Sequence, residues 1–181
     1  MGYIEIDLNS LDWKGFWVNV HKNNESLRHY CEEGLYDEAK NIIERGENNY
    51  PVEIDWKGLD DWSPLHYACY EGHDDIVELL CEHHASVNVK TKFNRNGLHI
   101  ATLRGHLNVS KVLLNHKIDA NAVDSDGNTA LHFAAENGYK EIISFLLESG
   151  CKIKKNKDKQ TPIHDCADEA HKKIFYMHGF K

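Results

Sequence analysis

A leucine–histidine pair recurs at a fixed interval in this chain. Leu65-His66, Leu98-His99 and Leu131-His132 are evenly spaced, and at the same distance beyond each leucine comes a glycine: Gly72, Gly105 and Gly138. A further copy opens at Thr161-Pro162-Ile163-His164, one position short of the full interval after Thr129. A degraded earlier copy reads Leu27-Arg28-His29-Tyr30-Cys31-Glu32-Glu33-Gly34. A unit this short cannot cover its own apolar face, so it must stack on copies of itself and share a thin, continuous core.

The stretch 126–150 shows what one unit contains. Thr129 suits a helix N-cap, because its hydroxyl can accept from a backbone N–H one turn on. Ala130 to Asn137 then predicts a short helix, ended by Gly138, which enters the left-handed conformation without a Cβ clash. Tyr139 to Ser149 predicts a second helix, with Ile142, Ile143, Leu146 and Leu147 on one face. Pro64 and Pro162 take the first position of the short helix, where a missing N–H costs nothing. His84 and Lys117 stand where glycine would end the longer helix, so both are expected in a left-handed conformation at some cost.

Period and wording resemble the ankyrin repeat, a β-turn followed by two antiparallel helices with a T-P-L-H-x-A motif. The matching text is SPLHYAC from Ser63, NGLHIAT from Asn96, TALHFAA from Thr129 and TPIHDCA from Thr161. The resemblance implies an all-α solenoid of about five helix pairs with β-turn fingers. Residues 1–20 read as an aromatic N-terminal extension or cap, of ambiguous period. Residues 21–58 read as a degenerate first repeat with an enlarged finger, because the step from Leu27 to Leu65 is longer than that from Leu65 to Leu98. Repeats follow at 59–91, 92–123 and 124–155, and 156–181 is a C-terminal capping repeat with a shortened, more polar outer helix. Insertions of this kind commonly map to a binding face.

Net charge is −8 with a pI near 5.9, which argues against a general nucleic-acid binder. Charge is segregated: residues 151–181 hold eight lysines and four acids, a net of +4, which leaves −12 on residues 1–150. The run Lys152–Lys159 reads as a solvated finger or as a patch for an acidic partner. No run of apolar residues is long enough for a membrane span, and the acidic start lacks the features of a signal peptide. Five cysteines without C-x2-C spacing fit buried structural thiols and a reducing, intracellular compartment, cytoplasmic or nuclear.

Thirteen histidines invite a metal or catalytic reading. His66, His99, His132 and His164 follow the repeat, however, and are expected to bond their own Ser/Thr turn and the next repeat. No H-E-x-x-H, P-loop, G-x-G-x-x-G or G-x-S-x-G is present. No catalytic residue, metal or cofactor is therefore assigned. Asp60 and Asp61 read as finger-turn residues. Asn88 and Asn121 are expected to bond the finger turn; the resemblance also implies that such Asn positions can be hydroxylated by an oxygen-sensing asparaginyl hydroxylase.

These readings favour a non-catalytic protein–protein interaction module, an adaptor or scaffold that is a monomer when isolated. The alternative is a structural subunit built permanently into a larger intracellular assembly. The resemblance implies that the partner, another protein, meets the residues just before each motif and those five and six after each leucine. In the second repeat these are Leu59, Asp60, Trp62, Tyr70 and Glu71. In the third they are Lys92, Phe93, Arg95, Leu103 and Arg104. In the fourth they are Ser125, Asp126, Asn128, Glu136 and Asn137. Aromatic and arginine side chains dominate interface energies, so Trp62, Tyr70, Phe93, Arg95 and Arg104 stand out.

Overall fold

The computed structural model describes residues 13–46, 50–166 and 168–180. These residues form an all-α repeat solenoid of five helix pairs. The pairs are α1 (Trp13–Glu33) with α2 (Tyr36–Arg45), α3 (Pro64–Glu71) with α4 (Asp74–Glu82), and α5 (Gly97–Arg104) with α6 (Leu107–Asn115). They continue with α7 (Ala130–Glu136) and α8 (Lys140–Glu148), then α9 (Pro162–Asp165) and α10 (Glu169–Met177). The odd-numbered helices stack in one layer and the even-numbered helices in a second. Between the layers runs a continuous core in which Leu27, Leu65, Leu98, Leu131 and Ile163 occupy equivalent, buried positions.

The second, third and fourth repeats are each tied to the next in three ways. The motif histidine closes its own helix and reaches forward. Ser63 N–H donates to His66 Nδ1 at 3.1 Å and Thr129 N–H to His132 Nδ1 at 3.0 Å. The opposite nitrogens meet the carbonyls of Val89 and Gln160 in the following finger, at 3.1 and 3.3 Å. Finger tips pair through their backbones: Lys92 N–H donates to Asp60 O, Ser125 N–H to Phe93 O and Lys157 N–H to Asp126 O, each at 2.9 Å. Finally, a ring at the start of each outer helix covers the glycine of the preceding repeat: the N-cap residues His73 on Gly34, His106 on Gly72 and Tyr139 on Gly105, and His171 in the first turn of α10 on Gly138.

His84 and Lys117 adopt φ of 67° and 60°, as their positions after the outer helices require. Asp61 and Asn94 are left-handed at the turns of successive fingers, and Asp60 is left-handed beside Asp61.

Four expectations need correction. First, α1 runs unbroken from Trp13 to Glu33, so no boundary falls at residue 20. Within it Val20 turns inward, whereas Trp17 and Val18 face solvent; residues 1–12, with Leu8 and Leu11, lie outside the described residues. Second, the enlarged finger folds back on α1. Asn23 Nδ2 donates to Tyr50 O at 2.7 Å, Asn24 Oδ1 accepts from Glu53 N–H at 2.8 Å, and the His21 and Trp56 rings lie 5.6 Å apart. Residues 47–49 are outside the described residues. Third, Asn88 and Asn121 bond the following repeat, not their own turn. Their Oδ1 atoms accept from the N–H groups of Asp119 and Lys152 at 2.7 Å, and Asp55 does the same for Ser86. Fourth, the last outer helix is not shortened: α10 has nine residues, like α4, α6 and α8, and the four-residue α9 is the short member. Asp168 makes α10 possible by capping it, accepting from His171 N–H at 2.9 Å.

Candidate protein-interaction site

The second and third fingers and the inner helices α3 and α5 enclose a concave recess of about 430 Å³. Of the residues expected to meet a partner, Leu59, Asp60, Trp62, Tyr70, Glu71, Phe93, Arg95 and Leu103 line it. Lys92 and Arg104 touch its lining. Lys92 Nζ lies 3.3 Å from Asp60 Oδ1 and 5.9 Å from the Phe93 ring centre. The Arg104 guanidinium lies 4.4 Å above the Tyr70 ring.

The fourth-repeat residues are not part of this recess. Ser125, Asp126, Glu136 and Asn137 are exposed elsewhere on the chain. Asn137 Nδ2 is turned back onto Phe133 O at 2.8 Å, and Asn128 Oδ1 accepts from Asn156 Nδ2 at 2.9 Å.

Aromatic rings form the recess wall. Trp62 sits 5.2 Å from Tyr67 and 5.6 Å from Tyr70, tilted or edge-on to both, an arrangement suited to ring quadrupoles. Tyr67 carries the Arg28 guanidinium 5.4 Å from its own centre. Beyond this wall the rim is apolar and open: Leu59 is 82% exposed and Phe93 50%. Both are carried on fingers whose shape is fixed by closing bonds, Gly58 N–H to Trp62 O and Thr91 N–H to Arg95 O, each at 2.9 Å.

Arg95 is in the recess but already engaged. Its Nε approaches the Asp124 carboxylate at 3.4 Å, and its guanidinium lies 4.9 Å over Phe133. Asp124 is buried and also accepts from the N–H groups of Asp126 and Asn128, both at 2.9 Å. This carboxylate sets the third finger against the fourth, a role not apparent from its place in the sequence.

The recess also includes Glu32, Tyr67, Thr91 and Ile100, which were absent from the expected set. Tyr67 and Ile100 both lie two residues after a motif leucine. At about 100° per residue that offset turns a side chain roughly 200° from the leucine, toward the concave side. Helix geometry was therefore a usable signal for these two. Glu32 lies at the position after Leu27 that Tyr70 and Leu103 hold after Leu65 and Leu98, so the register of the degenerate first repeat was a usable signal for it.

Burial sets the protonation of the internal groups. It pushes the His66 and His99 imidazoles down to about 4, despite their bonds to backbone carbonyls, so both are neutral at physiological pH. Burial raises the Cys81, Cys151 and Cys166 thiols to about 11 and lifts Cys31 and Cys69 as well. All five thiols are unpaired. Among the described residues, no three His, Cys, Asp or Glu side chains gather as a metal site would require.

Paired helices stacked in two layers, with fingers that overhang a concave aromatic face, define a repeat solenoid built around a surface, not an enclosed cavity. A model of ankyrin repeats (three copies) matches residues 15–124 and 98–177. The chain belongs to the ankyrin-repeat family, whose members are generally protein–protein interaction modules and typically non-catalytic. Among curated proteins it is similar to ankyrin repeat and SAM domain-containing protein 3 of Homo sapiens, 43% identical over 58 residues, which is 32% of this chain and 8% of that protein. It is also similar to oxysterol-binding protein-related protein 1 of Homo sapiens, 34% identical over 70 residues, 36% of this chain and 7% of that protein. The Rattus norvegicus form is 33% identical over 70 residues, with the same shares. The chain spans less than a tenth of the length of these relatives. Among the described residues, no helix is long and apolar enough to cross a membrane.

Proposed function

We propose that this protein is a non-catalytic adaptor or scaffold that holds a protein partner in the recess between its second and third fingers. The observation that carries this reading is the open apolar and aromatic rim: Leu59, Trp62, Tyr70, Phe93 and Leu103 surround one concavity, and Leu59 and Phe93 are held outward on bonded fingers. Apolar side chains fixed in that position gain from being covered, and aromatic anchors of this type dominate interface energies. Lys92, Arg104 and Glu71 supply a charged edge for specificity. Ser125, Asp126, Asn128, Glu136 and Asn137 extend the series into the fourth repeat as peripheral contacts.

Five unpaired thiols, four of them buried, favour a reducing intracellular compartment. Affinity purification of the full chain from its native cell, with mass-spectrometric identification, tests the proposal when run beside Phe93→Ala. Partners that bind the wild type and are lost with Phe93→Ala support the recess. An unchanged partner set overturns it. Solution mass of the purified chain separates a free module, a monomer, from an obligate subunit that aggregates alone.

A further inference from the structure

Resting on that docking face, we infer that the recess receives a basic side chain, arginine or lysine, from an extended segment of the partner. Trp62 is the central ring of the cluster, and indole is the strongest cation-binding face among side chains. The two tyrosines beside it already carry cations of this chain: Arg28 on Tyr67 at 5.4 Å and Arg104 on Tyr70 at 4.4 Å. Among the described residues no cation of the chain lies over Trp62, which is half-buried beside the two tyrosines.

Charge around that face points the same way. Glu32, Asp60 and Glu71 line the recess together with Arg95, whose head is taken up by Asp124 and Phe133, and Lys92 and Arg104 touch its edge. Arg28 bonds Glu32 at 2.6 Å and Lys92 lies 3.3 Å from Asp60, whereas Glu71 has no ion-pair partner among the described residues. A guanidinium or ammonium entering here would meet the indole face and an uncompensated carboxylate. Its aliphatic stem would lie along Leu103 and Phe93, as long basic side chains do on apolar surface. An acidic side chain at the same point would meet the Glu71 carboxylate.

The test is an array of short random-sequence peptides probed with the labelled full chain. Bound peptides should be enriched in Arg or Lys next to an apolar residue. Changing that basic residue to Gln should weaken binding about tenfold, and Glu71→Gln, an exposed change that leaves the ring packing alone, should weaken it several-fold. Raised salt should weaken binding in the wild type more than in Glu71→Gln. Enrichment in Asp or Glu, or indifference to the Gln replacement, overturns the basic occupant. If peptides then still depend on Trp62 and Phe93, the docking face stands and only its partner chemistry falls. If no bound peptide depends on either residue, the docking face falls as well. A solution mass of two chains, returned to one by Phe93→Ala, would put a second copy in the recess and also overturn the inference.

Discussion

The imidazole of His106 occupies the space a Cβ on Gly72 would need: an added carbon would lie 2.6 Å from both Cε1 and Nδ1. The ring cannot easily withdraw, because its Nε2 bonds Tyr70 O at 2.9 Å. Gly72 is also left-handed, with φ of 91°. Gly72→Ala should therefore carry two costs, a conformational one and a packing one, together roughly 2–4 kcal/mol. Gly150→Ala is the control: φ is 82° but nothing lies within 4 Å of the added carbon, so only the conformational cost of about 1 kcal/mol applies. Urea midpoints of the two variants should differ clearly. Equal losses would show that His106 moves aside freely.

Leu131 is 1% exposed and sits between Leu98 and Ile163 in the stacked series. Truncation to alanine should leave a cavity between repeats that close packing on both sides cannot fill. The expected loss is about 2–5 kcal/mol. An unchanged urea midpoint for Leu131→Ala would contradict the burial described here.

Much of this architecture was legible because the repeat is a strict spatial period as well as a textual one. Leucine, histidine and glycine recur in phase since each meets the same neighbour in the next unit, and even the exceptions at His84 and Lys117 follow the phase. Where a neighbour is unlike the others, the text loses its meaning. Residues 13–20 continue α1 because Val20 and Leu27 bury the same face, a fact set by the repeat they cover and not by a local period. Asn88 and Asn121 look like turn residues, yet their oxygens reach backbone groups of the following repeat, which spacing within one unit does not reveal. The recess was half legible. Its finger residues follow the family pattern, but Arg95, expected to meet a partner, is held by a distant carboxylate, Asp124.

Acid should destabilise the protein before its carboxylates titrate. Ser63 N–H donates to His66 Nδ1, so His66 Nε2 must carry the proton that meets Val89 O, and protonating Nδ1 breaks the cap. The imidazoles of His66 and His99 fall from an ordinary 6.5 to about 4 in the folded chain. Above 6.5 both states are neutral and the contribution is intact. As pH falls from there toward 4, the unfolded chain binds protons that the folded chain refuses. Stability should decline by about 1.4 kcal/mol per pH unit for each of the two. Urea melts at pH 7, 6 and 5 check this; a flat midpoint across that range would contradict it.

Phe93 offers the cleanest separation of binding from stability. The ring is 50% exposed at a finger tip whose backbone holds its place through Ser125 N–H to Phe93 O, a bond that alanine keeps. Phe93→Ala should change stability by no more than about 0.5 kcal/mol, as exposed substitutions do. Trp62→Ala is less selective, because Trp62 packs on Tyr67 and Tyr70 and its loss also loosens the second finger. If the recess is the docking face, Phe93→Ala should weaken partner binding by about 2 kcal/mol, near thirtyfold. Ser125→Ala, one repeat further along and outside the recess, should leave both binding and melting nearly unchanged. Calorimetric titration of a purified partner against the two variants distinguishes them. Equal affinities would mean that the contact is spread over the whole concave side, and a loss confined to Ser125→Ala would place it on the fourth repeat instead.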